Sequence, residues 1–323
     1  MKSYTAVLAA AALLLTAGCS SAPLSQSQAS GTAAAGGEQK IQVGVIPIVD
    51  VAPIYLGQQQ GFFKDEGLAL DLVPAQGGAA IVPAVTSGTM DFGFSNVSSL
   101  LLAKSKGLDI KVVSAGNSST GQQGKDFGGI LVGKDSTISS AAGLAGKTVA
   151  VNTLNNINDT TVRESVHKAD GDPSTVKFVE LAFPDMQAAL ERGQVDAVQV
   201  VEPFLTTGTG AGDKLLSSNY VDTAKDLTVG TYFTTGSNVS GKPDVVKKFT
   251  AAMEKSLKYA QDNPDAVRKV LPTYTKIDAA TADKLVLPSF SADVNRASVE
   301  QLVTLSKGDG LLKDDVKLDE LLP

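Results

Sequence analysis

Apolar residues along the chain fall into short runs, and the most informative run lies near the start of the folded part. Residues 43–49 are rich in Val and Ile, which is typical of a buried strand. Asp50 interrupts this run, Pro53 suits the first turn of a helix, and Gly61 suits its end. The pattern therefore predicts a strand, a tight loop and a helix. In an open parallel sheet such a loop lies at the carboxyl end of the strand, where small ligands bind beside helix N–H groups.

The same alternation of strand and helix continues over most of the chain. Strand patterns occur at residues 68–73, 90–94, 110–115, 129–132, 148–151, 176–181 and 197–201. Helix patterns lie between them, at residues 77–87, 97–106, 139–144, 159–168 and 184–192. This alternation predicts an α/β fold in which parallel sheets carry helices on both faces.

A repeated unit predicts that the chain forms two lobes. A helix, a Gly-x-x-Asp turn and a strand occur within residues 79–96 and again within residues 183–204. Two similar lobes, each with its own sheet, would explain the repeat. The alternative is that any α/β protein contains such units.

The stretch at residues 228–235 is rich in β-forming residues, and almost everything after it has helical patterning. We expect this stretch to cross back to the first lobe, with the later helices packed on that lobe. The predicted division is a first lobe of residues 40–133 and 232–323 and a second lobe of residues 134–231. Two such connections would make a two-strand hinge between doubly wound lobes.

The N-terminus predicts export and a lipid anchor. Lys2 precedes a short apolar run at residues 6–15, and this run leads into Leu-Thr-Ala-Gly-Cys, which ends at Cys19. The sequence resembles a bacterial lipobox, in which a signal peptide of residues 1–18 is removed and Cys19 is lipidated. The alternative is an ordinary signal peptide with a chance cysteine. Residues 19–39 are rich in Ser, Ala, Gly and Gln, as in a flexible tether.

Composition and residue counts limit the kinds of binding and catalytic site that the chain can form. The chain has 323 residues, of which 43% are apolar and 19% are charged, and this is a globular profile. Its net charge is −6 and it has no long basic run, so nucleic-acid binding is not predicted. Cys19 is the only cysteine and His167 the only histidine, so we expect no disulfide, no metal site and no catalytic triad. Glycine motifs that bind nucleotide phosphates are also missing, and no cofactor is predicted.

Polar side chains are concentrated where strands are followed by helices. Each one alone could be a helix cap, but several at the carboxyl ends of strands favour a shared ligand crevice. The stretch from Asn155 to Thr160 holds more polar groups than one cap needs, and we expect it to face Asn96 across the crevice. Asp50 and Glu202 are expected in the walls. The predicted ligand-binding residues are Asp50, Ala52, Tyr55, Gly77, Gly78, Ser95, Asn96, Asn117, Asn155, Asn156, Asn158, Asp159, Thr160, Glu202, Phe204 and Tyr232.

Several motifs resemble those of a known family. They are found at residues 47–57, 61–68, 88–93, 144–150 and 193–197, and in the Glu202-Pro203-Phe204 step. Over residues 41–249 the chain resembles substrate-binding proteins of ABC importers, in the nitrate/taurine/sulfonate and thiamine-pyrimidine-precursor (NMT1/THI5-like) group. The resemblance implies a type II periplasmic-binding-protein fold whose two lobes close on a small molecule. It also implies a monomer that delivers this molecule to a permease and its ATPase. With the lipobox, the expected location is the extracytoplasmic face of the bacterial cell membrane.

The ligand and the exact function are left open by the residues. A sulfonate, a carboxylate or a pyrimidine-like molecule is considered, although a carboxylate of Asp50 or Glu202 facing the ligand would disfavour an anion. Four aromatic residues are expected either to stack on a planar ligand or to pack in the core: Tyr55, Phe94, Phe204 and Tyr232. One alternative is an enzyme on the same fold, of the pyrimidine-precursor synthase or menaquinone-pathway type. The synthase relies on a His and a Cys-rich motif that this chain lacks. A sensor domain or structural lipoprotein is a third hypothesis.

Overall fold

A computed structural model describes residues 38–323 of the chain. The predicted signal peptide of residues 1–18, the predicted lipidation site Cys19 and nearly all of the predicted tether lie outside the described residues. The last tether residue, Gln39, already belongs to the first strand. Within residues 38–323 no helix has both the length and the apolar character needed to cross a membrane.

The strands of the described residues form two five-stranded sheets, and each sheet is the centre of one lobe. The strands are β1 Gln39–Val45, β2 Leu68–Pro74, β3 Phe92–Asn96, β4 Ile110–Ser118, β5 Gly128–Val132, β6 Thr148–Val151, β7 Lys177–Glu180, β8 Ala197–Val201, β9 Lys214–Ser217 and β10 Thr228–Thr235. The first sheet has the order β2-β1-β3-β10-β4, and the second has the order β7-β6-β8-β5-β9. The predicted mixed α/β architecture with one sheet in each lobe is therefore confirmed.

Helices cover both sheets, as expected for parallel strands that are buried on both faces. In the first lobe they are α1 Ala52–Gln59, α2 Phe62–Asp65, α3 Gly78–Thr86, α4 Val97–Ser105, α9 Gly236–Gly241, α10 Pro243–Asp262, α11 Pro264–Val270, α12 Ala279–Ala282, α13 Arg296–Gly308 and α14 Leu318–Leu321. In the second lobe they are α5 Ile157–Lys168, α6 Phe183–Glu191, α7 Phe204–Gly210 and α8 Asn219–Thr223. Four short turns of 3₁₀ helix accompany them in the described part of the chain, among them Val49–Val51 directly after β1.

The long helix α10 shows how the C-terminal part completes the first lobe. One face of this helix is buried, and its Phe249 ring stacks on Phe92 of β3 with ring centroids 4.0 Å apart. On the same buried face of α10, two turns further along, Ser256 lies so close to Gly57 of α1 that no side chain would fit between them. The helices after β10 therefore pack on the first lobe, as their position in the sequence predicted.

The sheet pairing differs from the predicted lobe boundaries at two places. Strand β5 pairs antiparallel with β8 and β9 in the second sheet, whereas the sequence division counted residues up to 133 with the first lobe. Strand β10 lies wholly in the first sheet, antiparallel between β3 and β4, so residues 228–231 belong there too. The pattern of apolar residues identifies a strand but does not identify its neighbours, and this is why the boundaries shifted.

Two connections join the lobes, at residues 119–127 and 224–227. They lie side by side, because the Ser119 N–H donates to the Leu227 carbonyl at 2.9 Å. The first connection is held by Asp126, which accepts hydrogen bonds from the Ser119 hydroxyl and the Thr120 N–H, both at 2.8 Å. The carboxyl ends of the parallel strands of the two sheets are thereby brought toward each other.

Candidate functional site between the lobes

A small cavity lies where the two lobes meet. Its volume is about 30 Å³, and it is lined by residues of both lobes: Ile46, Ile48, Asp50, Phe94, Asn96, Asn152, Ile157, Asn158, Phe183, Val201, Tyr220, Val229 and Gly230. The lobes touch beside it, since the Val49 N–H donates to the Glu202 carbonyl at 3.1 Å. The Gln76 side chain also donates to the Asn152 carbonyl at 3.2 Å. These contacts describe a closed arrangement of the lobes.

Asp50 is the buried acid of this cavity. It sits in the 3₁₀ turn after β1 and is only 3% exposed. Its Oδ1 accepts a hydrogen bond from the Asn117 side chain at 3.0 Å, whereas its buried Oδ2 has no partner among residues 38–323. The pKa of Asp50 is raised to about 7, mainly by burial. The nearby charge of Asp126 contributes to this rise, and the hydrogen bond from Asn117 opposes it. Asp50 therefore titrates near neutral pH.

A network of amides and one phenol forms the opposite wall, in the second lobe. The Tyr220 hydroxyl donates to Asn158 Oδ1 at 2.9 Å, and the Asn158 amide donates to Asn152 Oδ1 at 2.8 Å. Asn156 donates to the same Asn152 oxygen at 3.0 Å. Burial raises the pKa of Tyr220 well above its ordinary value, so its hydroxyl is neutral. This wall is fixed in place by its own hydrogen bonds before any ligand arrives.

Two further buried oxygens lie immediately behind the lining residues. Gln199, in the apolar strand β8, donates to the Val200 carbonyl at 3.3 Å and to the Tyr220 hydroxyl at 3.4 Å, and its Oε1 is without a partner in the described chain. Asn117 Oδ1 is likewise without a partner there, and it lies against Gly230, where a Cβ would stand 2.5 Å from it. Buried polar atoms of this kind are rare and require an explanation.

Glu202 is buried like Asp50, but its carboxylate is fully used by the protein. Its Oε2 accepts from the Thr206 N–H at 2.9 Å, and its Oε1 accepts from the Thr206 hydroxyl at 2.7 Å and from the Val286 N–H at 3.1 Å. Thr206 lies in the first turn of α7, while Val286 lies in the first lobe. Burial raises the pKa of Glu202 to about 7. The predicted wall residue is therefore a support for α7 and a bridge between the lobes.

The predicted asparagines of the two lobes act as helix caps. Asn96 Oδ1 accepts from the Ser99 N–H at 2.9 Å at the start of α4. Asn156 Oδ1 accepts from the Asn158 N–H at 2.9 Å at the start of α5. The Asn155 N–H donates to Asp159 Oδ2 at 2.8 Å, which ties the loop to the first turn of the same helix. Of these residues, Asn96 and Asn158 also line the cavity.

The smaller predicted residues shape the loops rather than contact the cavity. A Cβ on Gly78 would lie 2.1 Å from the Ser95 hydroxyl, so helix α3 approaches β3 closely only because Gly78 has no side chain. A Cβ on Gly77 would lie 3.0 Å from the Asn152 amide of the second lobe. Ala52 is fully buried at the start of α1. Thr160 is also buried and shares a hydrogen bond of 3.3 Å with Ser306.

A larger space, which we call the vestibule, adjoins the cavity. Its volume is about 580 Å³, and it shares Ile46, Ile48 and Phe183 with the cavity. The rest of its lining is Pro47, Pro74, Ala75, Gln76, Ala182, Pro184, Gln187, Pro203, Phe204, Thr207, Tyr274, Thr275, Lys276 and Ile277. Phe204 stacks on Phe183 with ring centroids 5.5 Å apart. The vestibule therefore has mainly apolar and aromatic walls.

The remaining predicted aromatic residues contact other rings. Tyr55 stacks on Tyr274 with centroids 3.9 Å apart, which fixes that vestibule residue. Tyr232 is fully buried with its ring edge toward Phe94, and its hydroxyl has no partner within residues 38–323. The structure thus brings Asp50, Asn96 and Asn158 together in the cavity and puts Phe204 in the vestibule.

Two lining residues, Asn152 and Tyr220, and Gln199 directly behind the lining were missed by sequence reasoning. Asn152 directly follows β6, three residues before the predicted stretch that begins at Asn155, so the same argument from strand ends applies to it. Gln199 is the one polar residue in the strand Ala-Val-Gln-Val-Val, and this isolation was a usable signal. Tyr220 lies on a short helix after β9 and carries no local signal at all. Among residues 38–323, no group of three or more His, Cys, Asp or Glu side chains is arranged to hold a metal ion.

Comparison with known proteins now places the chain. Residues 48–267 match the sequence model of the family described as NMT1/THI5 like. The chain belongs to the NMT1/THI5-like family. The predicted resemblance is thereby confirmed at the level of the family.

Named relatives agree with this placement. The taurine-binding periplasmic protein of Escherichia coli (strain K12) is 27% identical over 245 residues, which cover 74% of this chain and 72% of that protein. The alkanesulfonate-binding protein of Xanthomonas axonopodis pv. citri, solved bound to MOPS, superposes with a TM-score of 0.74 at 18% identity, covering 90% of this chain and 99% of that one. The periplasmic nitrate-binding protein of Synechocystis PCC 6803 superposes with a TM-score of 0.75 at 14% identity, covering 88% and 86%.

The relatives settle two further points. The solved structures confirm the predicted periplasmic-binding-protein fold for this NMT1/THI5-like chain. The named relatives are transport substrate-binding proteins and not enzymes, which agrees with the prediction of a binding protein. Their names place them outside the cytoplasm.

Proposed function

We propose that this protein is a lipid-anchored, extracytoplasmic solute receptor, which binds a small organic molecule between its lobes and delivers it to the permease and ATPase of an ABC importer. The main evidence for this proposal is Asp50, because this buried carboxylate lines the cavity between the lobes and has one oxygen without a partner among residues 38–323. An unpaired buried polar group costs about 1–3 kcal/mol. A ligand that pairs with it would therefore stabilise the closed lobes.

The site suits a receptor better than an enzyme of the same fold. The polar wall formed by Tyr220, Asn158 and Asn152 is held by hydrogen bonds among its own side chains, which favours recognition of a ligand by a preformed site. The relatives that bind taurine, alkanesulfonates or nitrate supply the transport context. Asp50, Asn96, Asn152, Asn158 and Tyr220 are the proposed contacts in the cavity.

A thermal-shift screen tests this function. The protein is heated alone and with sulfonates, carboxylates, pyrimidines, amines and nitrate, since a ligand at ~100 times its Kd adds about 2.7 kcal/mol to native stability. A hit should also reduce the radius of gyration in small-angle scattering, because the lobes close on it. The control is Asp135→Asn, which changes an exposed carboxylate outside the cavity. A protein that no small molecule stabilises or compacts is not a solute receptor.

The lipid anchor is tested separately. Cys19 ends the lipobox-like sequence, and we expect it to carry the lipid that holds the receptor near its permease. Cys19→Ser should leave the protein unprocessed or release it from the membrane, as measured by fractionation and by the mass of the mature N-terminus. A Cys19→Ser protein that still fractionates with membranes at the mature mass would overturn the anchor without affecting the binding function.

A further inference from the structure

The charges around the cavity between the lobes are strongly one-sided. Asp50 is the only carboxylate in its lining, and no Lys, Arg or His from residues 38–323 contributes to that lining. The other ionisable lining group, Tyr220, is neutral because burial raises its pKa. A sulfonate or carboxylate in this cavity would therefore meet a buried like charge with no cation to compensate it.

The unpaired buried oxygens at the cavity and directly behind its lining include three hydrogen-bond acceptors. Asp50 Oδ2 is one of them, and Asn117 Oδ1 is a second, because the Asn117 amide nitrogen is committed to Asp50 Oδ1. Gln199 Oε1 is a third, because its amide nitrogen donates to the Val200 carbonyl. Of these three acceptors, only Asp50 Oδ2 belongs to a residue that lines the cavity. An unpaired acceptor is satisfied by an N–H or O–H group, so the ligand group that pairs with Asp50 is a donor.

The space available divides into a small polar part and a large apolar part. The cavity beside Asp50, at about 30 Å³, has room for about two water-sized groups. The vestibule, at about 580 Å³, has the size of a site for a small organic molecule. The two spaces share Ile46, Ile48 and Phe183 in their linings, so they are direct neighbours. A ligand with a small polar head in the cavity and an apolar body in the vestibule would match this division.

We infer, building on the proposed function, that the ligand is an organic cation of the amine or amidine class, whose N–H groups bind Asp50 and whose apolar body fills the vestibule. The stacked pair of Phe183 and Phe204 offers a flat wall to that body. Lys276 is the only charged residue that lines the vestibule within the described chain, and it is exposed to solvent. Its charge is therefore hydrated and does not compensate Asp50.

The groups that surround Asp50 predict a pH dependence for such a ligand. Asp126, Tyr220, Tyr232 and Tyr274 are the titratable groups close enough to influence it or be influenced by it, and none of them is a cation. Since the pKa of Asp50 is about 7, a permanently protonated amidine should bind about tenfold more tightly at pH 8 than at pH 6. An anion would show the opposite trend.

Matched probes test the ligand class. Benzamidine carries a cationic amidine on a phenyl ring, while benzoate and benzenesulfonate carry anions on the same ring. We expect calorimetry to show binding of benzamidine, tightening from pH 6 to pH 8, and no binding of the two anions. Acetamidine has the same head without the ring, and it should bind about 10- to 100-fold more weakly because it leaves the vestibule empty.

Variants test which residues bind the amidine group and which bind the ring of benzamidine. Asp50→Asn should weaken benzamidine about 10- to 100-fold and abolish the pH dependence, since it removes a charged hydrogen bond. Asp135→Asn makes the same chemical change at an exposed position and should leave benzamidine binding unchanged. Phe183→Ala should weaken benzamidine but not acetamidine. Melting temperatures of all variants without probe establish that each is folded.

The outcomes separate this inference from the proposed function. Binding of benzoate or benzenesulfonate in preference to benzamidine would show that the ligand is not a cation, and the proposed receptor function would still stand. If Asp50→Asn does not weaken benzamidine binding, the amidine group does not bind Asp50. If none of the aromatic probes binds but the thermal-shift screen yields a stabilising solute that is neither an amine nor an amidine, the inferred ligand class is wrong and the receptor function stands. If the screen is also empty, the proposed function fails as well.

Discussion

The loops after β1 and β8 carry the same kind of residue in two different situations. Asp50 follows β1 and Glu202 follows β8; both are nearly fully buried, and burial raises the pKa of each to about 7. Glu202 accepts three hydrogen bonds from Thr206 and Val286, so both of its oxygens are satisfied. Asp50 accepts one from Asn117, and one of its oxygens has no partner in residues 38–323.

This difference teaches how a buried acid is assigned to structure or to binding. Position in the chain, burial and a shifted pKa are shared by the two residues and therefore do not separate them. The count of protein hydrogen-bond partners does separate them, because a saturated carboxylate has little left to offer a ligand. Glu202 accordingly supports α7 and links the lobes, while Asp50 remains the candidate for recognition.

The largest expected effect comes from making the same isosteric change at both acids. In Glu202→Gln the new amide must point one N–H group at a backbone donor, either that of Thr206 or that of Val286. We expect the unfolding free energy at pH 8 to fall by about 1–3 kcal/mol. In Asp50→Asn the amide oxygen can take the place of Oδ1 and still accept from Asn117. The new amide nitrogen then replaces Oδ2, which faces no donor. This variant should be as stable as the parent or more stable.

Urea unfolding at pH 8 without ligand measures both variants. Circular dichroism at the same pH serves as the control that each variant has the parent's helix and strand content. An Asp50→Asn protein destabilised as much as Glu202→Gln would mean that Asp50 is a structural residue too, and the comparison between the two acids would collapse.

A smaller effect is expected from the asparagines that cap helices at the cleft. Asn156→Ala removes the acceptor for the Asn158 N–H and two side-chain bonds to Asn152 and Thr153, so we expect a loss of about 1–2 kcal/mol in ligand-free stability. Asn96→Ala removes one cap of α4 and should cost about 1 kcal/mol. Melting temperatures and calorimetric Kd values are measured together. Unchanged ligand-free stability in either variant would show that its cap contributes nothing to stability, whatever happens to the affinity.

Much of the fold could be predicted from the sequence because the strands are buried and therefore continuously apolar. Strands β1, β3 and β8 are each followed by a helix start, and the patterns at residues 43–49, 90–94 and 197–201 overlap them, although β1 already ends at Val45. The membership of β5 could not be predicted, because its antiparallel neighbours β8 and β9 come much later in the chain. Pairing over such distances leaves no local trace in the residues.

The site was harder to predict than the fold for a related reason. Strand ends indicated Asp50, Asn96 and Asn158, which line the cavity, but the same rule also selected Glu202, whose partner Val286 lies 84 residues away. Tyr220 reaches the cavity from a helix of five residues that has no ligand-binding signature. A residue's use depends on partners that tertiary structure brings to it, and these are not visible in its own segment.

The last expected effect comes from the pH and not from a substitution, and it is the pH dependence of ligand-free stability. Burial raises the pKa of Asp50, Asp159 and Glu202 to about 7 and that of Asp309 to about 6. A raised pKa means that the folded protein holds the proton more tightly than the unfolded chain does. This contribution to stability is fully present below the unfolded pKa of about 4 and is lost as the pH rises through 7. The melting temperature should therefore be higher at pH 5 than at pH 8.

Asp50→Asn sharpens this last measurement, since it removes one of the buried acids whose pKa is raised. The parent and the variant should melt at similar temperatures at pH 5, where Asp50 is protonated, and the variant should melt higher at pH 8, where the parent must bury a charge. The exposed acids with lowered pKa values, Asp172, Asp278, Asp315 and Glu320, act in the opposite direction but only below about pH 4. They therefore do not affect the comparison between pH 5 and pH 8. Equal slopes for the two proteins would show that Asp50 is ionised throughout this range, and the expected tightening of an amidine with pH would then also be absent.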